Sequence, residues 1–152
     1  MEELDKFYLR IIAILFGELS FVFLFFAVLW FANLAEIDLP TEIKVFWWAL
    51  LFLISMAVII LRRSLFSWKR LKDIAIRKDI VTVARTLYSN TLVLSLMAWA
   101  VAFIGFLIAF MSGDKFGLLR STIISLLLFA VIFPRKTSWQ NILLNLQKTI
   151  NS

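Results

Sequence analysis

Glu18 is the one carboxylate in the stretch ILFGELSFVF, Ile14 to Phe23, which otherwise consists almost wholly of residues at home in hydrocarbon. A buried carboxyl can accept hydrogen bonds, carry a proton or hold a cation. Left ionised and unpaired in lipid, it costs several kcal/mol. At ~1.5 Å per residue Glu18 lies roughly 12 Å along a helix from Arg10, too deep for easy snorkelling. Donors at comparable depth are scarce: Ser20, Ser55, Ser95, Ser125 and Trp99. Trp99 lies about as far beyond Asn90 as Glu18 lies beyond Arg10, and a buried indole N–H needs an acceptor. Glu18 and Trp99 therefore form the candidate intramembrane polar site, with two uses in competition. One is a structural clamp between helices; the other is an ion-coupled or proton-handling step. A lone acid without a second acid or base is a poor relay, which favours the clamp.

Other chemistry is excluded by composition. The chain has neither Cys nor His, so thiolate nucleophiles, imidazole bases and metal sites built on either are absent. No paired carboxylates, metal-ligand cluster or activated nucleophile can be assembled, so the chain is expected not to be an enzyme and to carry no cofactor or metal. A net charge of +6 and a pI near 10 would suggest nucleic acid in a soluble protein. With 62% hydrophobic residues and a mean hydropathy of +0.95, that charge instead reads as cations held on one side of a bilayer, with no nucleic-acid partner.

Four apolar segments must position these residues: about 11–32, 45–61, 91–111 and 118–133. Each approaches the ~20 residues that cross a bilayer, the second and fourth being short. The first is too long for a signal peptide and no A-x-A pattern follows it, so it reads as a retained span. Lys and Arg cluster before the first span, between the second and third, and after the fourth. Only Lys44, Lys115 and Arg120 fall elsewhere, near Glu36, Asp38, Glu42 and Asp114. The positive-inside rule then predicts both termini and the 62–90 loop in the cytoplasm, in a bacterial inner membrane. Trp30, Trp47 and Trp48 would form an outer aromatic belt, and Tyr8, Trp68, Tyr88 and Trp139 an inner one. The expected fold is a single all-α domain of four transmembrane helices arranged as two hairpins. Short turns with Pro40, Gly113 and Gly117 close each hairpin.

Spacing also marks packing faces. Thr91, Ser95, Ala98, Ala102, Gly105 and Ala109 recur at steps of four and three on the third span, a small-residue stripe of the kind that lets membrane helices approach closely. Ala13, Gly17, Ser20 and Ala27 form a weaker stripe on the first, and the two are expected to meet in parallel or to serve a homo-oligomer. The 62–90 loop has no Gly or Pro, which predicts extensions of the flanking helices with a break near IRKD. Its run RRSLFSWKRLK makes Arg62, Arg63, Lys69, Arg70 and Lys72 candidates for contact with anionic lipid headgroups. In segment 138–150, Trp139, Ile142, Leu143, Leu146 and Ile150 form an amphipathic face, suited to the inner interface or to packing on the basic loop.

The segment SLMAWAVAFIGFLIAFMSGD, Ser95 to Asp114, followed by an apolar helix ending FPRKTSW, resembles a set of uncharacterised bacterial four-span membrane proteins loosely similar to the proteolipid c subunit of rotary ATP synthases. The resemblance implies a four-helix membrane fold and no activity. Where those proteins carry an acid ahead of the alanine-rich stretch, this chain has Trp99. The second and fourth spans lack the carboxylate a rotor subunit needs. The reading that results is a non-enzymatic scaffold or accessory subunit of a membrane complex, partnered by the bilayer and its anionic headgroups. The alternative is a small ion-coupled transport component using Glu18.

Overall fold

The computed structural model describes residues 2–32, 34, 37 and 39–151, with side chains for that set apart from 2–4 and 149–151. Glu36 and Asp38 lie outside the described residues. Six helices follow one another: α1 (Glu2–Phe31), α2 (Thr41–Leu65), α3 (Trp68–Arg77), α4 (Ile80–Ser112), α5 (Lys115–Ile132) and α6 (Lys136–Asn151). No strand occurs among the described residues. Four stretches, α1, α2, α4 and the one made of α5 and α6, are long and apolar enough to cross a membrane.

The breaks between helices have local causes. A break falls at Lys78 and Asp79, within the expected IRKD region, and a further one at Phe66 and Ser67 separates α3 from α2. Asp79 caps α4, its carboxylate accepting from the Thr82 N–H at 2.7 Å, which satisfies an otherwise orphaned donor of the first turn. The Thr82 hydroxyl and N–H together hold the Asp79 carboxyl below its ordinary value. Gly113, with φ of 70°, ends α4 in the left-handed conformation that glycine adopts at least cost. One residue later Asp114 caps α5 by accepting from the Gly117 N–H at 2.8 Å. Pro134 separates α5 from α6, since it has no N–H to continue the first helix.

The long α4 is the axis of the molecule and packs against all five other helices; of the two hairpins expected, only α4–α5 is a closely packed pair, because α1 and α2 each pack on α4 and α5 instead of chiefly on one another. α1 runs parallel to it: the Phe7 ring lies 5.7 Å from Tyr88, and Phe25 lies 4.7 Å from Phe106. One end of the bundle gathers the start of α1 with α3 and α6. There the Tyr8 hydroxyl donates to the Pro134 carbonyl at 3.4 Å, the Tyr8 ring meets Trp139 edge-on, and Lys136 pairs with Asp5 at 2.9 Å. At the opposite end Lys115 donates to the Trp30 carbonyl at 3.1 Å, and the Ile37 N–H donates to the Ser112 carbonyl at 2.9 Å. Of the 16 Lys and Arg residues, all but Lys44, Lys115 and Arg120 belong to the first end.

The amphipathic face of α6 is covered by protein. Trp139, Leu143 and Leu146 are buried and Ile142 is half-buried, the helix lying against α4 and α3; the Ile150 side chain is outside the described set. Of the two placements open in the sequence, packing inside the chain is the one adopted. Trp139, only 3% exposed, is therefore a core residue and not part of an aromatic belt facing lipid.

Candidate functional site

The seam between α1 and α4 contains the intramembrane acid. Along α1, Ile11, Leu15, Glu18, Val22 and Leu29 are buried. With half-buried Phe25 they recur at alternating steps of four and three, the spacing of a continuous helix seam. On α4 the whole small-residue stripe, Thr91, Ser95, Ala98, Ala102, Gly105 and Ala109, is buried. The expected pairing of two small stripes does not occur. Ala13, Gly17 and Ser20 are exposed and Ala27 is half-buried, and a Cβ added at Gly17 would meet nothing within 4 Å. The small partners of the α4 stripe come from α5, with Ser125 bonded to the Ala98 carbonyl and Ser121 against Gly105, while α1 meets α4 through larger side chains, Phe25 lying against Trp99, Phe103 and Phe106. The signal was present in the sequence as the 11-15-18-22-25-29 spacing, with Glu18 itself a member.

Glu18 therefore points into the protein. Ser95 stands beside its carboxyl, but the Ser95 hydroxyl donates to the Leu92 carbonyl at 3.0 Å. Both carboxyl oxygens are buried and have no hydrogen-bond partner among the described residues. The expected indole donor does not reach them. Trp99 stacks on Phe103 at 5.1 Å and meets Phe25 at 5.9 Å with the rings tilted by 52°, in an aromatic row that continues through Phe106 and Phe110. That row lies about a quarter-turn round α4 from the small stripe, at ~100° per residue. Trp99 shares the depth of Glu18, as the Phe7–Tyr88 and Phe25–Phe106 contacts on either side require, but rotational position decides which side chains touch. Glu18 is also the only ionisable residue in the buried set among the described residues. The site can hold a proton or a cation, and no second buried ionisable residue among those described stands ready to take either from it.

The other polar groups in the apolar layer serve the backbone. The Ser125 hydroxyl of α5 donates to the Ala98 carbonyl at 2.7 Å, an interhelical bond. Ser121 fills the space where a Cβ on Gly105 would stand, so α4 and α5 approach through their smallest residues. Thr91 donates to the Leu87 carbonyl at 2.8 Å. Asn90 reaches from α4 to donate to the Leu65 carbonyl at 3.1 Å, satisfying one of the carbonyls left open at the end of α2. Sequence reasoning singled out neither Asn90 nor Ser121. Their signal was an isolated polar residue on the buried face of a helix, which acquires meaning only once the neighbouring helix is placed.

The five basic candidates divide into two groups. Lys69 and Arg70 are exposed and Lys72 is half-buried, all on α3, whose Leu71 and Ala75 are buried beneath them. Arg62 and Arg63, also exposed, stand on the last turn of α2 and line a cavity against the ends of α5 and α6. Among the described residues no group of His, Cys, Asp or Glu is arranged to hold a metal. No family model matches the chain, and comparison with curated proteins and with solved structures finds no similar chain.

Proposed function

We propose that this protein is a non-enzymatic helical scaffold, an accessory subunit of a membrane assembly whose basic end faces the cytoplasm of a bacterial cell. The observation that carries the reading is the use made of polarity. Ser125 and Asn90 tie helices together, Asp79 and Asp114 cap them, and Glu18 is the only buried ionisable residue among those described. The same end that carries most of the cations is built as a layer, with α3 and α6 packed together and against α4, a platform suited to anionic headgroups or a partner. The outward small-residue face of α1 supports an assembly role, because lipid gains nothing from small residues that a second helix would gain.

A second reading rests on one observation, the buried carboxyl of Glu18 without a partner. In that reading the carboxyl exchanges a proton or cation during transport. Reconstitution into proteoliposomes under an imposed pH gradient separates the two. The scaffold reading expects the same proton leak from the unmodified protein, from Glu18→Gln and from empty vesicles. Flux in the unmodified protein that disappears in Glu18→Gln would replace the scaffold reading with the transport one, since an amide cannot exchange a proton at that position.

A further inference from the structure

Where the ends of α2, α5 and α6 converge there is a cavity of about 540 Å³ with an unusual division of chemistry. Its polar side carries Arg62 and Arg63 from the last turn of α2, and Arg135 and Ser138 from the start of α6. Its other wall is apolar, with Leu94 of α4 and Val131 of α5 among its residues. No carboxylate lines it. Among the described side chains, the acids of this end are engaged elsewhere: Asp73 with Arg77 and Asp5 with Lys136, each at 2.9 Å, and Asp79 with the Thr82 N–H. None of the three guanidinium groups has a hydrogen-bond or ion-pair partner among the described residues.

Three unpaired arginines round one cavity repel one another and present planar forks of donors, the arrangement that matches the oxygens of a phosphate in bidentate fashion. The first turn of α6 adds its dipole, which favours an anion at the same place. Depth supplies the rest. Arg62 and Arg63 stand where the apolar stretch of α2 ends, and Arg135 stands just past the end of α5, so the cavity straddles the boundary between hydrocarbon and headgroups. Exposed Ile59 and Ile60, one turn earlier on α2, extend apolar surface from the cavity toward the hydrocarbon.

We infer that the cavity is a binding site for one anionic phospholipid, its phosphate held by Arg62, Arg63 and Arg135 and an acyl chain lying along the apolar wall beside Leu94 and Val131. This goes beyond a diffuse attraction between a basic end and an anionic leaflet, because it assigns a saturable site with one occupant. A phosphate ester free in solution shares the headgroup chemistry but cannot use the apolar wall.

The test uses the full-length protein in nanodiscs of phosphatidylcholine, titrated with phosphatidylglycerol, with bound lipid counted by native mass spectrometry. Two triple variants are compared: R62Q/R63Q/R135Q and, as a control removing the same charge from α3, K69Q/R70Q/K72Q. The inference expects one retained phosphatidylglycerol per chain, weakened about tenfold or more by the first variant and little by the second. Equal weakening by both variants, or binding that never saturates, would reduce the site to diffuse charge and overturn the inference while leaving the scaffold reading intact. Glycerol phosphate is added as a soluble competitor. Its failure to displace the lipid supports the lipid assignment, and displacement at millimolar concentration would overturn it in favour of a free phosphate ester. Should the glutamine variant fold poorly, R62K/R63K/R135K keeps the charge and removes the forks. Weakened retention in that variant supports bidentate recognition, and undiminished retention counts against it.

Discussion

Glu18 occupies a seam position that, in every other turn of α1, is filled by an apolar side chain. Its two carboxyl oxygens are buried, and the Ser95 hydroxyl beside them is turned to the Leu92 carbonyl, so among the described residues no hydrogen bond offsets the burial of the acid. Replacing a buried polar group that lacks partners by an apolar one of similar size is neutral or stabilising. Glu18→Leu is therefore expected to raise the melting temperature in detergent, by the equivalent of about 1–3 kcal/mol, with Glu18→Gln near the unmodified protein. This reverses what an indole donor at Trp99 would require, and a clear loss of stability in the leucine variant would show that a donor depends on the acid. Asp79 behaves oppositely. Bonds from Thr82 hold its carboxyl below the ordinary value, so the folded state favours the ionised form. Its contribution is complete above the unfolded carboxylate pKa and disappears as pH falls through the lower, folded one. Asp79→Ala should lower the melting temperature at neutral pH, and the gap between variant and parent should close in strong acid, as followed by circular dichroism.

Between helices, contact distance separates two faces that read alike in the sequence. Ala102 is 2% exposed at the middle of the α4 stripe, and a Cβ on Gly105 would overlap the Ser121 side chain. Ala102→Leu and Gly105→Val should each force helices apart and destabilise by about 1–3 kcal/mol, read as a lowered melting temperature in detergent. Gly17, by contrast, faces open space within the chain. Gly17→Leu is expected to leave the melting temperature of the isolated protomer unchanged or slightly raised, because the helix loses a flexible residue. A large loss there would mean that the face is covered within the protomer. At the α2 end, Asn90→Leu removes the donor to the Leu65 carbonyl and should cost about 1 kcal/mol.

For the whole molecule, the gathering of α3, α6 and the start of α1 at one end ties the topology into a single test. Cysteine-free sequence makes single-cysteine labelling clean. With an impermeant reagent applied to intact cells, a cysteine at position 114 should label, while cysteines at positions 70 and 148 should label only after the membrane is opened. Strong labelling of position 70 from outside would invert the molecule and place the basic platform and its arginine cavity on the other face. The charge distribution makes that inversion costly, since all but Lys44, Lys115 and Arg120 would have to cross.

The sequence by itself determined the four apolar stretches, the turn at Gly113–Gly117, the break near Lys78, the amphipathic face of α6 and the α4 stripe. All of these depend on local composition or on the period of a single helix, which one chain segment carries in full. Only the tertiary structure decided what each face meets. The α1 stripe of small residues looked as suited to packing as the α4 stripe, yet α5 supplies the small partners of α4 at Ala98 and Gly105, and Gly17 is left outward. Trp99 shares the depth of Glu18 but stands a quarter-turn away in an aromatic row. Arg62 and Arg63 read as part of one basic run with Lys69 and Arg70, until the break at Phe66 and Ser67 turned them toward Arg135, more than seventy residues away in the chain. Rotation about a helix axis and the meeting of distant segments are properties of packed volume, and no single period in the sequence encodes them.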